Sequence, residues 1–135
     1  FFIIKGEYDR SLIYADSSFQ IIEQNRTPNH TDFADHYNNI SAVYRAKGDF
    51  KAASETFQKA INIYKRNPED NKLSLANTYA NYGLWLYEIG DYNKALLYFQ
   101  KCLSIRSGKL KPNDRLIARA QNYIGNCYLA KNDLD

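Results

Sequence analysis

A chain of 135 residues is long enough to bury a sizeable core, and its 44% hydrophobic residues exclude wholesale disorder. No stretch approaches the roughly 20 apolar residues of a membrane span, and two cysteines are too few for a disulfide scaffold. Charges that are scattered and sum to +3 do not indicate nucleic-acid binding. Because the chain has no Met and begins with two Phe, we expect it to be part of a larger protein.

A repeat with a period of 42 residues organises the chain. Gly6, Gly48 and Gly90 lie 42 residues apart, and each precedes an acidic and then an aromatic residue. Other residues recur at the same spacing, among them Ala34, Ala76 and Ala118, then Phe57 and Phe99, and then Gly83 and Gly125. Glycine favours the left-handed backbone that ends many helices, so each glycine of the first set predicts a turn. The next period reaches Asn132, which can adopt the same conformation.

Within each period the apolar residues follow the three-and-four spacing of two successive helices, a first helix and a second helix. Gly48 ends a first helix, and Asp49 can cap the second helix by accepting a backbone N–H. Pro28, Pro68 and Pro112 stand at the joints between periods. We predict helices at about residues 8–25, 31–47, 50–66, 70–89, 92–108 and 114–131. The same pattern predicts a partial repeat at 1–27 (mainly a second helix), repeats at 28–67 and 68–111, and a partial repeat at 112–135 (mainly a first helix).

These residues resemble the tetratricopeptide repeat, whose two helices carry aromatic, aliphatic and small residues at fixed spacing. The first-helix signature stands at Tyr37, Ile40, Ser41 and Tyr44, and recurs at Tyr79, Tyr82, Gly83 and Leu86. The second-helix signature stands at Ala53, Phe57 and Ala60, and recurs at Ala95, Phe99 and Cys102. The period of 42 resembles the long-helix branch found in kinesin light chains and in bacterial Rap-type phosphatases and sensor proteins. The resemblance implies an all-α fold, a right-handed superhelix (solenoid) of antiparallel helix pairs.

Gly83 and Gly125 stand in the middle of predicted first helices, where glycine costs about 1 kcal/mol relative to alanine. We expect this cost to be offset because the backbone of another helix approaches closely at both positions. The recurring alanines of the second helices would form the other side of this contact.

The resemblance implies that the first helices line a concave groove that binds a peptide or helical segment of a partner. Candidate groove residues are those opposite the buried stripe of each first helix. They are Asn38, Asn39, Arg45, Asn77, Asn81, Tyr87, Arg119, Asn122 and Asn126. Asn39 and Asn81 recur at the period, and an amide both donates and accepts, so it can pair with any peptide backbone. The alternative is that these residues only solubilise an Asn-rich chain.

Other conspicuous residues have structural interpretations. Tyr82 and Trp85 are expected to pack between helices, whereas the phenol of Tyr87 is expected to be more exposed. Cys102 and Cys127 fall at packing positions and predict inert core thiols. A basic cluster predicts a solvated turn, with a site for an acidic partner as the alternative; it comprises Arg106, Lys109, Lys111 and Arg115.

No residue pattern typical of a catalytic or metal site is found. His30 and His36 are six residues apart and do not share a helix face, whereas a zinc-type pair on a helix is four apart. The sequence has no C-x-x-C pair, phosphate-binding glycine loop or G-x-S-x-G motif. We therefore expect no enzyme activity, no cofactor and no metal.

The sequence favours a protein–protein interaction scaffold that binds a protein or peptide, with no direct contact to nucleic acid or membrane. An alternative is a regulatory or sensor segment of a two-component or transcriptional signalling protein, which binds a peptide or an attached effector domain. Self-association through the open ends of the solenoid is a third hypothesis. We expect a cytoplasmic location.

Overall fold

The computed structural model describes residues 5–27 and 30–132, which form six α-helices and no strand. The helices are α1 (Lys5–Asn25), α2 (Thr31–Lys47), α3 (Phe50–Arg66), α4 (Pro68–Glu88), α5 (Tyr92–Lys109) and α6 (Arg115–Asn132). The all-α class and the six predicted helices are confirmed, and no boundary differs from its predicted position by more than three residues.

The helices belong to two compact units, Phe1–Asn67 and Pro68–Asp135. In the first unit α2 packs against both α1 and α3. In the second unit α5 packs against both α4 and α6, and α4 also contacts α6. By the period of the sequence, α2, α4 and α6 are first helices, and α1, α3 and α5 are second helices.

The turns inside the two repeat pairs form as predicted. Gly48 has a φ of 82°, and its N–H donates to the carbonyl of Arg45 at 3.1 Å. The side chain of Asp49 then caps α3 by accepting the backbone N–H of Ala52 at 3.2 Å. The same turn recurs one period later at Gly90, whose φ is 87°. A left-handed glycine followed by an aspartate cap therefore reverses the chain inside each pair.

The prediction of a similar turn at Gly6 is wrong, because α1 begins at Lys5 and continues through Gly6. Glu7 follows this glycine in the place that Asp49 takes in the next repeat, and glutamate is a much poorer helix cap than aspartate. Pro68 is the first residue of α4, where proline costs no backbone hydrogen bond. The predicted joint at Pro28 lies outside the described residues.

Small residues bring the two helices of each pair together. Ala34 of α2 and Ala53 of α3 are fully buried, as are their equivalents one period later, Ala76 and Ala95. In the first pair a buried hydrogen bond of 2.7 Å also joins Ser41 Oγ to Thr56 Oγ1. No described helix is long and apolar enough to cross a membrane.

The two mid-helix glycines have different environments. A Cβ atom at Gly83 would lie 2.7 Å from Cε1 of Phe99, whereas a Cβ atom at Gly125 would meet nothing within 4 Å. The expectation that a helix backbone approaches both positions is therefore wrong. An aromatic ring approaches Gly83, and the same position of α6 is open among the described residues.

Candidate partner-binding surfaces

The nine predicted groove residues lie on first helices of both units and differ in exposure. In the first unit, Asn39 is exposed, and Asn38 and Arg45 are half-buried. In the second unit, Asn81 and Tyr87 are half-buried, and the exposed residues are Asn77, Arg119, Asn122 and Asn126. Within the described part of the chain, the amides of Asn39, Asn81, Asn122 and Asn126 form no side-chain hydrogen bond. Four of the predicted amides therefore keep both their donor and their acceptor for other partners.

Asn38 differs from these four because its Oδ1 atom is buried and accepts no hydrogen bond from the described residues. A buried carbonyl oxygen without a donor is unfavourable by roughly 1–3 kcal/mol. A hydrogen bond from a buried water would remove this cost.

Asn77 is the one predicted groove residue whose amide oxygen is already engaged within its own unit. It accepts a hydrogen bond of 3.1 Å from Nη2 of Arg106 on α5. Nη1 of the same guanidinium donates to the carbonyl of Leu116 at 3.0 Å, so one side chain joins α4, α5 and α6. Tyr87 is also engaged, since its ring packs edge-to-face against Tyr92 with centroids 5.2 Å apart.

The prediction of a solvated basic turn is wrong for Arg106, whose side chain is only 4% exposed. The turn explanation holds for the other three residues of the cluster, Lys109, Lys111 and Arg115, which are exposed. Arg106 differs because it lies one turn inside α5, where its side chain reaches inward to Asn77 and Leu116. Its Nε atom is buried and makes no hydrogen bond within the described residues.

A cleft lies between α1 and α2 in the first unit. It has two connected parts of about 190 and 400 Å³, which share Ala15, His36 and Ile40. Asn39 lines the larger part, whose walls also include Ile22. We refer to this feature as the α1–α2 cleft; the remaining lining residues are Leu12, Ile13, Asp16, Ser18, Asp32, Asp35 and Tyr44.

Carboxylates give this cleft its electrostatic character. Its described lining contains Asp16, Asp32 and Asp35 and no Lys or Arg. Oδ2 of Asp32 pairs with Nε of Arg26 at 2.8 Å, and Asp35 accepts a hydrogen bond from the hydroxyl of Tyr64. An acidic lining over apolar walls suits a ligand that carries both positive charge and apolar groups.

His36 forms part of the wall of the cleft and packs at a tilt against Phe19, with ring centroids 4.8 Å apart. Burial lowers the pKa of its imidazole, and the negative charge of Asp16 partly opposes that shift. Burial and then the bond to Asp35 raise the pKa of the Tyr64 hydroxyl, so it stays a donor. The lowered pKa of His36 means that this imidazole adds no positive charge to the lining at neutral pH.

The sequence pattern predicts Asn39 as a groove residue but does not reveal the cleft around it. The sequence does contain one indication of the cleft, because the small residue Ala15 occupies the position taken by Phe57 and Phe99 in the later repeats. The missing aromatic ring helps to keep this space open.

The predicted packing roles of the aromatic residues and the thiols agree with their burial. Trp85 is 5% exposed and stacks on Tyr82 at a centroid distance of 5.7 Å. Cys102 and Cys127 are fully buried, and burial raises the pKa of both thiols, which disfavours the reactive thiolate. Among the described residues, no three His, Cys, Asp or Glu side chains are grouped to hold a metal ion.

The comparison with known protein families matches a tetratricopeptide repeat model in three overlapping segments, residues 1–66, 32–108 and 74–135. No curated protein sequence matches the chain. Among solved structures, BtubC (BKLC) from P. vanneervenii superposes with a TM-score of 0.84 at 19% identity, over 95% of this chain and 51% of that one. A Podosopora anserina protein of kinesin light chain type, with nearly identical TPR-like repeats, superposes with a TM-score of 0.81 at 13% identity. That match covers 94% of this chain and 60% of the other.

The chain thus spans about half to three-fifths of the structures that it resembles. At these identities the likeness establishes the fold, and it agrees with the helices and repeat turns described above. The family match extends over all three periods of the sequence. The chain belongs to the tetratricopeptide repeat family.

Proposed function

We propose that the chain is a protein-interaction scaffold whose first helices bind a peptide or a helical segment of a partner. Tetratricopeptide repeats are generally scaffolds of this kind and are typically not enzymes. The observation that carries the proposal is the set of side-chain amides on α2, α4 and α6 without hydrogen-bond partners among the described residues. Each of these amides can donate to a peptide carbonyl and accept from a peptide N–H.

In the first unit, the candidate contacts are Asn39 in the α1–α2 cleft and the half-buried Asn38 beside it. Arg45 lies further along the same helix and was also a predicted groove residue. The acidic lining favours a segment that places a basic side chain beside Asn39.

In the second unit, Asn81 and Tyr87 on α4 and the exposed side chains of α6 are the candidate contacts. The α6 set consists of Arg119, Asn122 and Asn126. Asn77 contributes only its amide nitrogen, because its oxygen is held by Arg106. Binding here would rest mainly on backbone pairing, with a tyrosine ring and an arginine giving selectivity.

We also propose a reducing compartment such as the cytoplasm. Cys102 and Cys127 are both free thiols in buried packing positions, and proteins of oxidising compartments more often pair their cysteines.

The amide proposal is tested with peptides selected against the whole 135-residue chain from a random displayed library. Calorimetric titration then compares the unchanged chain with an Asn39→Ala, Asn81→Ala double variant. Whichever unit holds the peptide loses one hydrogen bond, which should weaken binding roughly two- to tenfold, because one such bond contributes about 0.5–1.5 kcal/mol. Circular dichroism should show the same helix content in both chains.

Asn62→Ala is the matched control, because Asn62 is an exposed amide on a second helix. It should leave the affinity unchanged. Equal affinity of the double variant and the unchanged chain would refute the amide contacts, and failure to select any peptide would refute the binding function itself.

A further inference from the structure

A lysine of the second helix lies over a tyrosine ring of the first helix in both complete repeat pairs. Nζ of Lys59 is 5.3 Å from the ring centroid of Tyr37, and Nζ of Lys101 is 5.6 Å from that of Tyr79. The two lysines stand 42 residues apart, as do the two tyrosines, so the contact recurs with the period. Both lysines are exposed, and each ammonium group is therefore held at a defined place on the surface of its repeat.

In α5 a second ring holds the same ammonium group. Nζ of Lys101 is 5.0 Å from the ring centroid of Tyr98, and that ring packs edge-to-face against Tyr82 with centroids 4.7 Å apart. A side chain that is ordered before binding loses less conformational entropy when a partner pairs with it. Lys101 is thus better placed to bind an anion than a freely rotating lysine would be.

Lys101 belongs to a stripe of side chains along one face of α5. The stripe consists of Lys94, Leu97, Tyr98 and Lys101, which are spaced three and four residues apart and so share a helix face. The two lysines are exposed, Leu97 is 47% exposed, and Tyr98 is half-buried. At 1.5 Å per residue the lysines are roughly 10 Å apart along the helix, with the apolar residues between them. We refer to these four residues as the α5 stripe.

Leu97, at the centre of the α5 stripe, faces away from the helices that flank α5 in its own unit. Arg106, which bonds to both α4 and α6, is about 180° from Leu97 around the helix. Phe99, which packs against Gly83 of α4 and near Tyr123 of α6, lies on that far side as well. Because α4 and α6 are both in place, the exposure of the stripe follows from the way α5 packs between them.

The charge of the α5 stripe is not compensated within the described part of the chain. Helix α5 contains four basic residues and no acidic one. No described carboxylate pairs with Lys94 or Lys101. One period earlier, α3 has Glu55 in place of Leu97 and no lysine in place of Lys94. The stripe is therefore particular to the second unit.

A partner that matches the α5 stripe carries acidic side chains on either side of an apolar one, because carboxylates can pair with the two lysines while the apolar group covers Leu97. Single-stranded nucleic acid needs open ring faces for its bases, but the ring of Tyr98 is already engaged by Lys101 and Tyr82. A membrane surface needs a wider apolar face than one leucine supplies. These contacts favour a protein segment.

We propose that the α5 stripe is a second interaction surface, which binds an acidic helical segment of a partner protein. Two carboxylates seven residues apart in that segment pair with Lys94 and Lys101, and an apolar residue between them packs on Leu97. The contacts proposed above lie on first helices, whereas the stripe lies on a second helix. The two proposals therefore hold or fail independently.

The probe is a fluorescein-labelled, alanine- and glutamine-rich helical peptide with Glu, Leu and Glu at positions i, i+4 and i+7. Fluorescence anisotropy measures its affinity for the 135-residue chain. The same peptide with Lys in place of both Glu should bind roughly tenfold more weakly or worse, since like charges then meet. A Lys94→Glu, Lys101→Glu double variant should weaken binding of the acidic peptide roughly tenfold or more. The milder Lys94→Gln, Lys101→Gln variant should weaken it roughly fivefold, because two exposed ion pairs are lost without repulsion.

A Lys51→Glu, Lys59→Glu double variant is the matched control, because it makes the same change of charge at two exposed lysines of α3. It should leave the affinity unchanged, and all variants should keep their helical circular dichroism. No binding of the acidic peptide, equal binding of the two peptides, or an equal loss in the control would overturn the proposal. Tighter binding of a single-stranded oligothymidylate or of phosphatidylserine vesicles, lost in the Lys94→Glu, Lys101→Glu variant, would overturn it in favour of nucleic acid or membrane.

Discussion

The ring of Phe99 lies against Gly83 so closely that a Cβ atom at position 83 would stand 2.7 Å from its Cε1 atom. Real Cβ contacts are not that short, so the ring can occupy this position only because residue 83 has no side chain. Phe99 is 1% exposed, and its ring also packs near Tyr123, with ring centroids 4.9 Å apart. The ring therefore has little room to move away.

Gly83→Ala should overpack this contact, which costs about 1–3 kcal/mol, while the better helix propensity of alanine returns about 1 kcal/mol. The free energy of unfolding should therefore fall by up to about 2 kcal/mol. Urea unfolding followed by circular dichroism measures the change.

Gly125→Ala is the matched control, since it makes the same chemical change at the equivalent position of α6. A Cβ atom there has open space, so the variant should gain about 1 kcal/mol from helix propensity alone. Equal effects of the two substitutions would contradict the role assigned to Phe99.

These two glycines show how far the sequence predicts this fold. The period of 42 residues predicts the same helical position for both, and the helices that contain them are confirmed. Which atoms lie beside a glycine depends on tertiary packing, and the period alone predicts identical neighbours. The incorrect prediction of a turn at Gly6 has a similar cause. The glycine keeps the 42-residue spacing, but Glu7 stands where the later repeats have a capping aspartate.

A bridge between the two helices of a pair recurs with different chemistry. In the first unit Tyr64 donates to the carboxylate of Asp35, and one period later Arg106 donates to the amide of Asn77. The guanidinium is buried with a neutral amide and a carbonyl as its described acceptors, so its charge is only partly compensated.

Asn77→Asp should therefore raise the free energy of unfolding by roughly 1 kcal/mol at neutral pH, because a carboxylate accepts more strongly from a guanidinium. The gain should be lost below about pH 4, where the aspartate is protonated. Urea unfolding at both pH values measures the difference. Asn77→Ala should instead destabilise the chain, since it removes one of the acceptors of Arg106.

The outcome of that pair of variants decides whether Arg106 is held mainly by hydrogen bonding to Asn77. If neither Asn77→Asp nor Asn77→Ala changes the free energy of unfolding, the bridge contributes nothing measurable. The sequence could not predict this bridge, because Arg106 belongs to a run of basic residues that is typical of a solvated turn. Only the position of α5 between α4 and α6 directs that side chain inward.

The candidate surfaces could also be predicted only in part, because they too depend on how neighbouring helices pack. Helical position identified Asn39 on the exposed side of α2, and the amide is exposed. The aspartates around it come from two helices, and Asp16 joins Asp32 only when α1 packs against α2. Such a cluster is a property of tertiary contact, and the recurrence of residues along the sequence does not reveal it.

His36 should make the stability of the first unit depend on pH. Burial holds the pKa of its imidazole below the ordinary 6.5 in the folded chain, and Asp16 opposes this shift. The unfolded chain therefore binds the proton more readily than the folded chain. The contribution of His36 to stability is present above about pH 6.5 and is lost as the pH falls through the folded pKa.

The test compares urea unfolding of the unchanged chain and of His36→Gln between about pH 7 and pH 5, a range in which most carboxylates stay ionised. The unchanged chain should lose more free energy of unfolding over this range than the variant, whose amide does not titrate. Asp16→Asn should steepen the loss, because removing the carboxylate lets burial lower the pKa of His36 further. Identical pH profiles for the unchanged chain and His36→Gln would show that the imidazole is not desolvated between α1 and α2.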